Sequence, residues 1–383
     1  MNSTFQSKLP RVGTTIFSKM SALAQQYGAL NLAQGFPDYD TDPHLINLVK
    51  DYMNDGFNQY ALMPGALPLR EKIALKVMNT HQIEVDVQDE ITVTAGGTQA
   101  IFTAIATVVH KDDEVIIFEP AYDCYAPTVE LFGGKVIPVV LLAPDFTIDW
   151  DYVKSLVNAR TKLIIINNPN NPTGRQLELD DIEALAQIVA SSQVFVLSDE
   201  VYEHLVYDGR KPYSLLAHPL LRQRSFVIAS FGKLLHVTGW KVGYCIAPLE
   251  LTREFRKIHQ YNVFSVNSAV QMAIAKYLED SQSYLGLGDF FEQKRNFLIA
   301  GISSSKFTVL PSNGTYFLNV DYSSISEEQD LLFAERMIVE NKIGLIPISA
   351  FYTADPNQYI LRICFAKRSE TLIQAIDLLN NIR

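Results

Sequence analysis

Between Ile91 and Lys233 the chain alternates short apolar runs with stretches of helical periodicity, and this restricts its possible folds more than any other feature. Residues 91–94, 115–118, 135–142, 162–167, 194–197 and 226–228 are rich in Val, Ile, Leu and Phe, while 99–109 and 180–191 carry helix-type spacing. Strands that are apolar on both faces and separated by helices predict a largely parallel sheet with helices on both sides. In such sheets ligands sit at the carboxyl ends of the strands. The polar and glycine-bearing turns fall there: Ala95-Gly96-Gly97-Thr98, Tyr122, Asn168 to Gly174, Ser198-Asp199-Glu200-Val201-Tyr202 and Ser230-Phe231-Gly232-Lys233.

Around this block the spacing predicts helices over 14–27, with Thr14 or Thr15 as the cap, over 44–54 and over 68–79. After residue 274 the alternation fades. One long helix is expected over 284–302, followed by strands at 315–320 and 359–365 and helices at 327–340 and 369–382. At 383 residues two domains are the prior. With no flexible linker in sight, the boundary is expected to run through a helix near 277–288. A net charge of −10 argues against nucleic acid as a general partner. Cys124, Cys245 and Cys364 are odd in number and far apart, which suits neither a disulfide framework nor a zinc site. The first residues hold no signal-peptide core and no run is long enough for a membrane span, so a cytoplasmic location is expected.

The stretch from Ser225 to Gly243 carries the most chemistry. A β-branched strand ends in Ser230-Phe231-Gly232-Lys233, and Gly239-Trp240-Lys241-Val242-Gly243 follows. A lysine at a strand end, with a second cation eight residues on, fits an anionic cofactor that reacts with an amine. On this segment alone, a surface loop with two solvated lysines fits as well. Asn168-Pro169-Asn170-Asn171-Pro172-Thr173-Gly174, taken alone, reads as a cluster of β-turns. Asp199 before Glu200 could be a helix cap, and Tyr122 could be ordinary core.

Taken together, NPTG, SDEVY, SFGK with GWKVG, QGFPD and the late Leu361-Arg362-Ile363 resemble the fold-type I pyridoxal-phosphate enzymes. Among them the chain is similar to the class I aminotransferases, in the kynurenine/glutamine and bacterial methionine branch. The resemblance spans essentially the whole chain. It implies an α/β fold with a large, mostly parallel sheet flanked by helices, plus a smaller α+β domain made from both termini. The expected division is an N-terminal arm over 1–44, a large cofactor-binding domain over 45–280 and a small domain over 281–383.

The resemblance also implies roles. Lys233 would hold pyridoxal 5′-phosphate as a Schiff base and shuttle the substrate's α-proton, a task suited to an amine whose pKa is lowered by desolvation and nearby cations. Asp199 would keep the ring nitrogen protonated. Asn171 and Tyr202 would donate to the ring oxygen, and Tyr122 would stack on the ring. The phosphate would lie on the helix start Gly97-Thr98-Gln99 with Ser230 and Lys241. Many relatives have arginine where Lys241 stands, so a bidentate contact gives way to a point charge. Tyr60 would reach the phosphate of a partner subunit in a homodimer. Arg362 would grip the substrate α-carboxylate, with Gly35 and Asn171 as further donors. Phe36, Tyr60, Tyr122 and Phe264 (the last from the partner subunit) would wall an apolar side-chain pocket. The stretch from Tyr261 to Asn267 contains no arginine or lysine that could pair with a second carboxylate. The partners implied are an amino acid and a 2-oxo acid, with methionine favoured and glutamine, aromatic amino acids or kynurenine next.

Other activities are harder to fit. The glycine turn lacks the Gly-Lys-Ser/Thr of a P-loop and the three-glycine dinucleotide pattern. Ser230-x-x-Lys233 lacks the companion motifs of a β-lactamase. A C–S or β-lyase on the same scaffold shares the carbanion chemistry and stays open. A cofactor-binding regulator would be expected to carry an added DNA-binding segment before the first helix.

Overall fold

The computed structural model describes residues 6–382; residues 1–5 of the expected N-terminal arm, and Arg383, lie outside the described residues. A seven-stranded sheet forms the centre. Its order is Ile91–Thr94, Gly243–Ile246, Ser225–Ser230, Phe195–Asp199, Thr161–Asn167, Glu114–Glu119 and Lys135–Val140. Gly243–Ile246 runs antiparallel to both of its neighbours, and the other pairings are parallel.

The sheet is buried on both faces because successive side chains point opposite ways. Leu163 and Ile165 join one apolar cluster with Ile101, Ile105 and Phe255, whereas Ile164 and Ile166 join the other with Leu185, Val189 and Tyr244. The expected strand at 135–142 is shorter and lies at the sheet edge, where Lys135 and Val140 are exposed. It is apolar in sequence without being buried on both faces.

The helices start where short-range chemistry favours them. Thr15 accepts from the Ser18 N–H at the head of Ile16–Tyr27, and Asp42 accepts from the His44 N–H at the head of Pro43–Asn54. The long helix expected over 284–302 is instead two, Gln282–Leu285 and Leu287–Gly301, meeting at Gly286. A Cβ on Gly288 would stand 3.0 Å from the Val206 carbonyl oxygen, so the second helix starts pressed against the backbone there. No described helix is long and apolar enough to cross a membrane.

A second sheet, ordered Ile346–Pro347, Ile360–Cys364, Phe317–Asp321 and Thr308–Val309, is antiparallel. The expected strand from 315 begins two residues later, since Thr315 takes a left-handed conformation at φ 64°. Leu30–Asn31 pairs in parallel with Ile343–Gly344, which ties the N-terminal segment to the C-terminal one. Gly35 and Phe36 are thereby brought over the carboxyl end of the large sheet, beside Arg362, which donates to the Ala33 carbonyl.

Candidate active site

A cavity of about 330 Å³ opens at the carboxyl ends of the parallel strands. The strand ending at Thr94 delivers the Gly96-Gly97 turn, and the helix Gly97–Val108 starts at once. Gly96 takes φ 80°, a conformation that glycine adopts without strain. A Cβ on it would stand 3.4 Å from Lys241 Nζ, and one on Gly97 would stand 2.9 Å from Val201 Cγ1. The Lys241 ammonium therefore lies over free N–H groups at a helix start, with Ser230 beside them. This is a combination suited to an anion. Thr98 lines the same end of the cavity. Gln99 does not line it, for its side chain accepts from the Ala95 N–H (3.0 Å) and donates to Thr103 (2.7 Å).

At the centre lie Asp199 and Lys233. Burial pushes the Asp199 carboxyl up to about 6, opposed by hydrogen bonds from the Tyr125 hydroxyl (2.5 Å) and the Val201 N–H (3.3 Å). Burial likewise pulls the Lys233 ammonium down to about 8, with the charges of Arg362 and Lys241 adding to the pull and Asp199 opposing it. Lys233 Nζ donates to the Gly35 carbonyl (3.1 Å) and to the Tyr316 hydroxyl (3.0 Å). Tyr202 is buried with its ring 5.7 Å from Nζ, and Tyr122 lies edge-on to Tyr125 with centroids 5.8 Å apart.

The Asn-Pro turn is held by its own side chains. Asn167 donates to the Asp199 carbonyl (2.8 Å) and accepts from the Asn171 N–H (2.7 Å). Asn171 Oδ1 accepts from Arg362 Nη1 (2.7 Å), which leaves its amide N–H groups as donors. Arg362 is only 1% exposed and sits among Phe17, Phe317 and Phe351, its guanidinium carbon 3.9 Å from the Phe317 ring centroid. Nη2 donates to the Ala33 carbonyl (3.0 Å), while Nε has no partner. Burial pulls this guanidinium down to about 10. A buried cation with no bonded carboxylate among the described residues is costly unless something anionic arrives.

Gly35, Phe36, Gly97, Thr98, Tyr122, Asn171, Asp199, Tyr202, Ser230, Lys233, Lys241 and Arg362 thus surround one cavity. Tyr60 and Phe264 do not. They pack ring against ring with centroids 5.3 Å apart, Tyr60 83% exposed and Phe264 half-buried. Gly35 is expected to donate its N–H to the substrate, and its carbonyl accepts from Lys233 and Tyr316. Sequence reasoning also missed Tyr125, Tyr316, Asn167, Phe17 and Asp123. Of these, Asp123 and Tyr125 had a local signal through closeness to Tyr122, and Asn167 through its place just before the Asn168 to Gly174 turn.

Residues 27–378 match the family "Aminotransferase class I and II". The chain is 46% identical to the methionine aminotransferase of Escherichia coli over 98% of each chain. It is 32% identical to mouse kynurenine–oxoglutarate transaminase 1 over 94% of this chain and 93% of that one. The crystal structure of Escherichia coli YbdL, reported to have a methionine aminotransferase function, superposes with a TM-score of 0.97 at 45% identity, covering 99% of each chain. The chain belongs to the class I and II aminotransferases, pyridoxal-phosphate enzymes that move an amino group between an amino acid and a 2-oxo acid.

Proposed function

We propose that the cavity holds pyridoxal phosphate on Lys233 and transaminates amino acids with neutral side chains, methionine foremost. The residues fit the cofactor on three counts. The glycine turn under Lys241 is a cradle that a Cβ would fill, Asp199 is a buried carboxylate with no bonded cation, and Arg362 Nε is an orphaned donor. When bound, the cofactor supplies an electron sink for the carbanion left by loss of the substrate's α-proton.

The chain's own residues do the rest. Gly97 and Thr98 N–H groups, Ser230 and Lys241 hold the phosphate, with Gln99 contributing through its backbone alone. Asp199 would hold the ring nitrogen in its protonated form, Asn171 and Tyr202 would offer donors to the ring oxygen, and Tyr122 would supply an aromatic wall. The Arg362 fork takes the α-carboxylate, with Asn171 beside it. Lys233 takes the α-proton on Nζ and returns it at the neighbouring position.

The neutral-donor reading rests on the cavity wall. Phe17, Phe36, Tyr122 and Phe317 supply it, and its three cations (Lys233, Lys241 and Arg362) all have assigned anionic or chemical partners. Asp123 also lines the cavity, and its carboxylate would repel a second substrate carboxylate. The methionine and kynurenine enzymes among the relatives agree with this chemistry. The test is kcat/KM for methionine against aspartate with a common 2-oxo acid. We expect methionine to lead by about 10²–10³-fold, the cost of an unpaired buried charge. Parity would overturn the reading.

Tyr60 and Phe264 are assigned to the neighbouring subunit's cavity in a homodimer. The exposure of Tyr60 supports this, as do its ring contact with Phe264 and the tie between their segments, where Ser265 donates to the Ala61 carbonyl at 3.0 Å. Mixing Tyr60→Phe with Lys233→Ala should restore some activity through hybrid dimers, and a fully active monomer in sedimentation would contradict it. The division into 1–44, 45–280 and 281–383 draws support from the pairing of Leu30–Asn31 with Ile343–Gly344. The free thiols of Cys124, Cys245 and Cys364 suit a cytoplasmic enzyme.

A further inference from the structure

Tyr316 is fully buried beside Lys233 and does not itself line the cavity. Three hydrogen bonds form a closed triangle. Lys233 Nζ donates to Tyr316 Oη (3.0 Å) and to the Gly35 carbonyl (3.1 Å), and Tyr316 Oη donates to that same carbonyl (2.7 Å). The phenol has a single proton, and Gly35 takes it. Tyr316 can therefore only accept from the amine. A neutral amine has two N–H bonds and one lone pair in tetrahedral arrangement. With both N–H bonds committed to Tyr316 and Gly35, the lone pair is the one position of the amine left without a protein partner, on a side chain that lines the cavity.

We propose that Tyr316 is a positioning residue that, with the Gly35 carbonyl, aims the lone pair of the free Lys233 amine at the substrate α-carbon. A proton taken from that carbon becomes the third N–H of the ammonium, on the cavity side, from which it can be returned without rotating the side chain. The triangle stays intact in both protonation states. The Tyr316 ring is held for this task edge-on to Tyr202 (centroids 5.2 Å) and Phe317 (4.9 Å), and it also packs against Phe291 (5.6 Å). The inference rests on Lys233 being the reactive amine, as proposed above.

Tyr316→Phe keeps the ring and removes the acceptor. The experiment uses the full-length enzyme with its cofactor in the amino form, in which Lys233 is free. Competitive acetylation across pH, read by peptide mass spectrometry, gives the titration of Lys233. Loss of an acceptor from the ammonium should lower its midpoint by about one pH unit. With C2-deuterated methionine, the half-reaction should slow about tenfold and its isotope effect should rise, while KM stays within about twofold.

Phe291→Leu is the packing control. It disturbs the same ring without touching the amine, so it should lower Tm and leave the titration in place. Unchanged titration and isotope effect in Tyr316→Phe overturn the proposal, as does an equal titration shift in Phe291→Leu. Borohydride trapping on the aldehyde form separates the two readings: a label on Lys233 leaves the cofactor assignment standing whatever Tyr316 does, and a label elsewhere removes both.

Discussion

Asp199 and Glu203 leave the same strand end four residues apart, and both carboxylates are buried, yet they are compensated differently. Glu203 Oε1 lies 2.7 Å from Lys76 Nζ and accepts from the Tyr244 hydroxyl (3.1 Å), and Lys76 Nζ also meets His204 Nε2 at 3.3 Å. Burial pushes Glu203 up, but Lys76 and His204 outweigh it and hold the carboxyl well below the usual range. Around Asp199 burial wins, because it is opposed mainly by neutral donors from Tyr125 and Val201 and only last by the charge of Lys233, which is not bonded to it. Arg362, across the cavity, also has no carboxylate bonded to it among the described residues. The first cluster is closed on itself and serves the fold. The second is left short of compensation, which is the condition of a site that receives charged guests.

Substitutions should separate the two clusters. Lys233→Ala should cut α-proton transfer by about 10²–10⁴-fold, measured in the methionine half-reaction, with no loss of stability in urea titration. A large stability loss would mean that Lys233 also holds the fold. Lys76→Met should show the reverse pattern. Removing one partner of a buried pair strands the other, which costs about 3–5 kcal/mol in urea unfolding, while turnover per folded molecule stays within about twofold.

The pH dependences should have opposite signs. Glu203 has a lowered folded pKa, so its contribution of about 3 kcal/mol is present above the unfolded value of 4.5 and is lost as pH falls from there through about 2. Glu203→Gln should flatten that acid limb. Asp199 has a raised folded pKa, so the cofactor-free chain should lose about 3 kcal/mol as pH rises from 3.8 through about 6. Asp199→Asn should then make the cofactor-free protein more stable at pH 8 while weakening cofactor binding, with thermal melts and cofactor titration as the two readouts. If Asp199→Asn destabilises at that pH, the carboxylate is better compensated than its partners indicate. The smallest effect is expected from Tyr125→Phe. Loss of one hydrogen bond to Asp199 should move its carboxyl further up, costing about 1 kcal/mol or a few-fold in cofactor Kd.

What was legible beforehand follows the range of the forces involved. The cores of the parallel strands, the Thr15 cap and the lysine at the end of Ser225–Ser230 depend on neighbours within a few residues, and they can be read from spacing. Lys233, Asp199, Asn171 and Arg362 stood out because their turns and apolar flanks are local, although their meeting was known only by resemblance. The break at Gly286 was missed because the pressure on Gly288 comes from Val206, 82 residues away in the chain.

The amino-acid sequence by itself determined the α/β order, the strand ends that carry the chemistry and the lack of a cation in the stretch from Tyr261 to Asn267. Only the tertiary structure decided that Tyr125 bonds Asp199, that Lys76 neutralises Glu203 and that Tyr316 and Gly35 together hold Lys233. These partners lie 74, 127, 83 and 198 residues apart respectively. Periodicity and turn chemistry act over one or two helical turns. Which donor meets which buried charge is set by how strands and layers stack, and no local pattern records that.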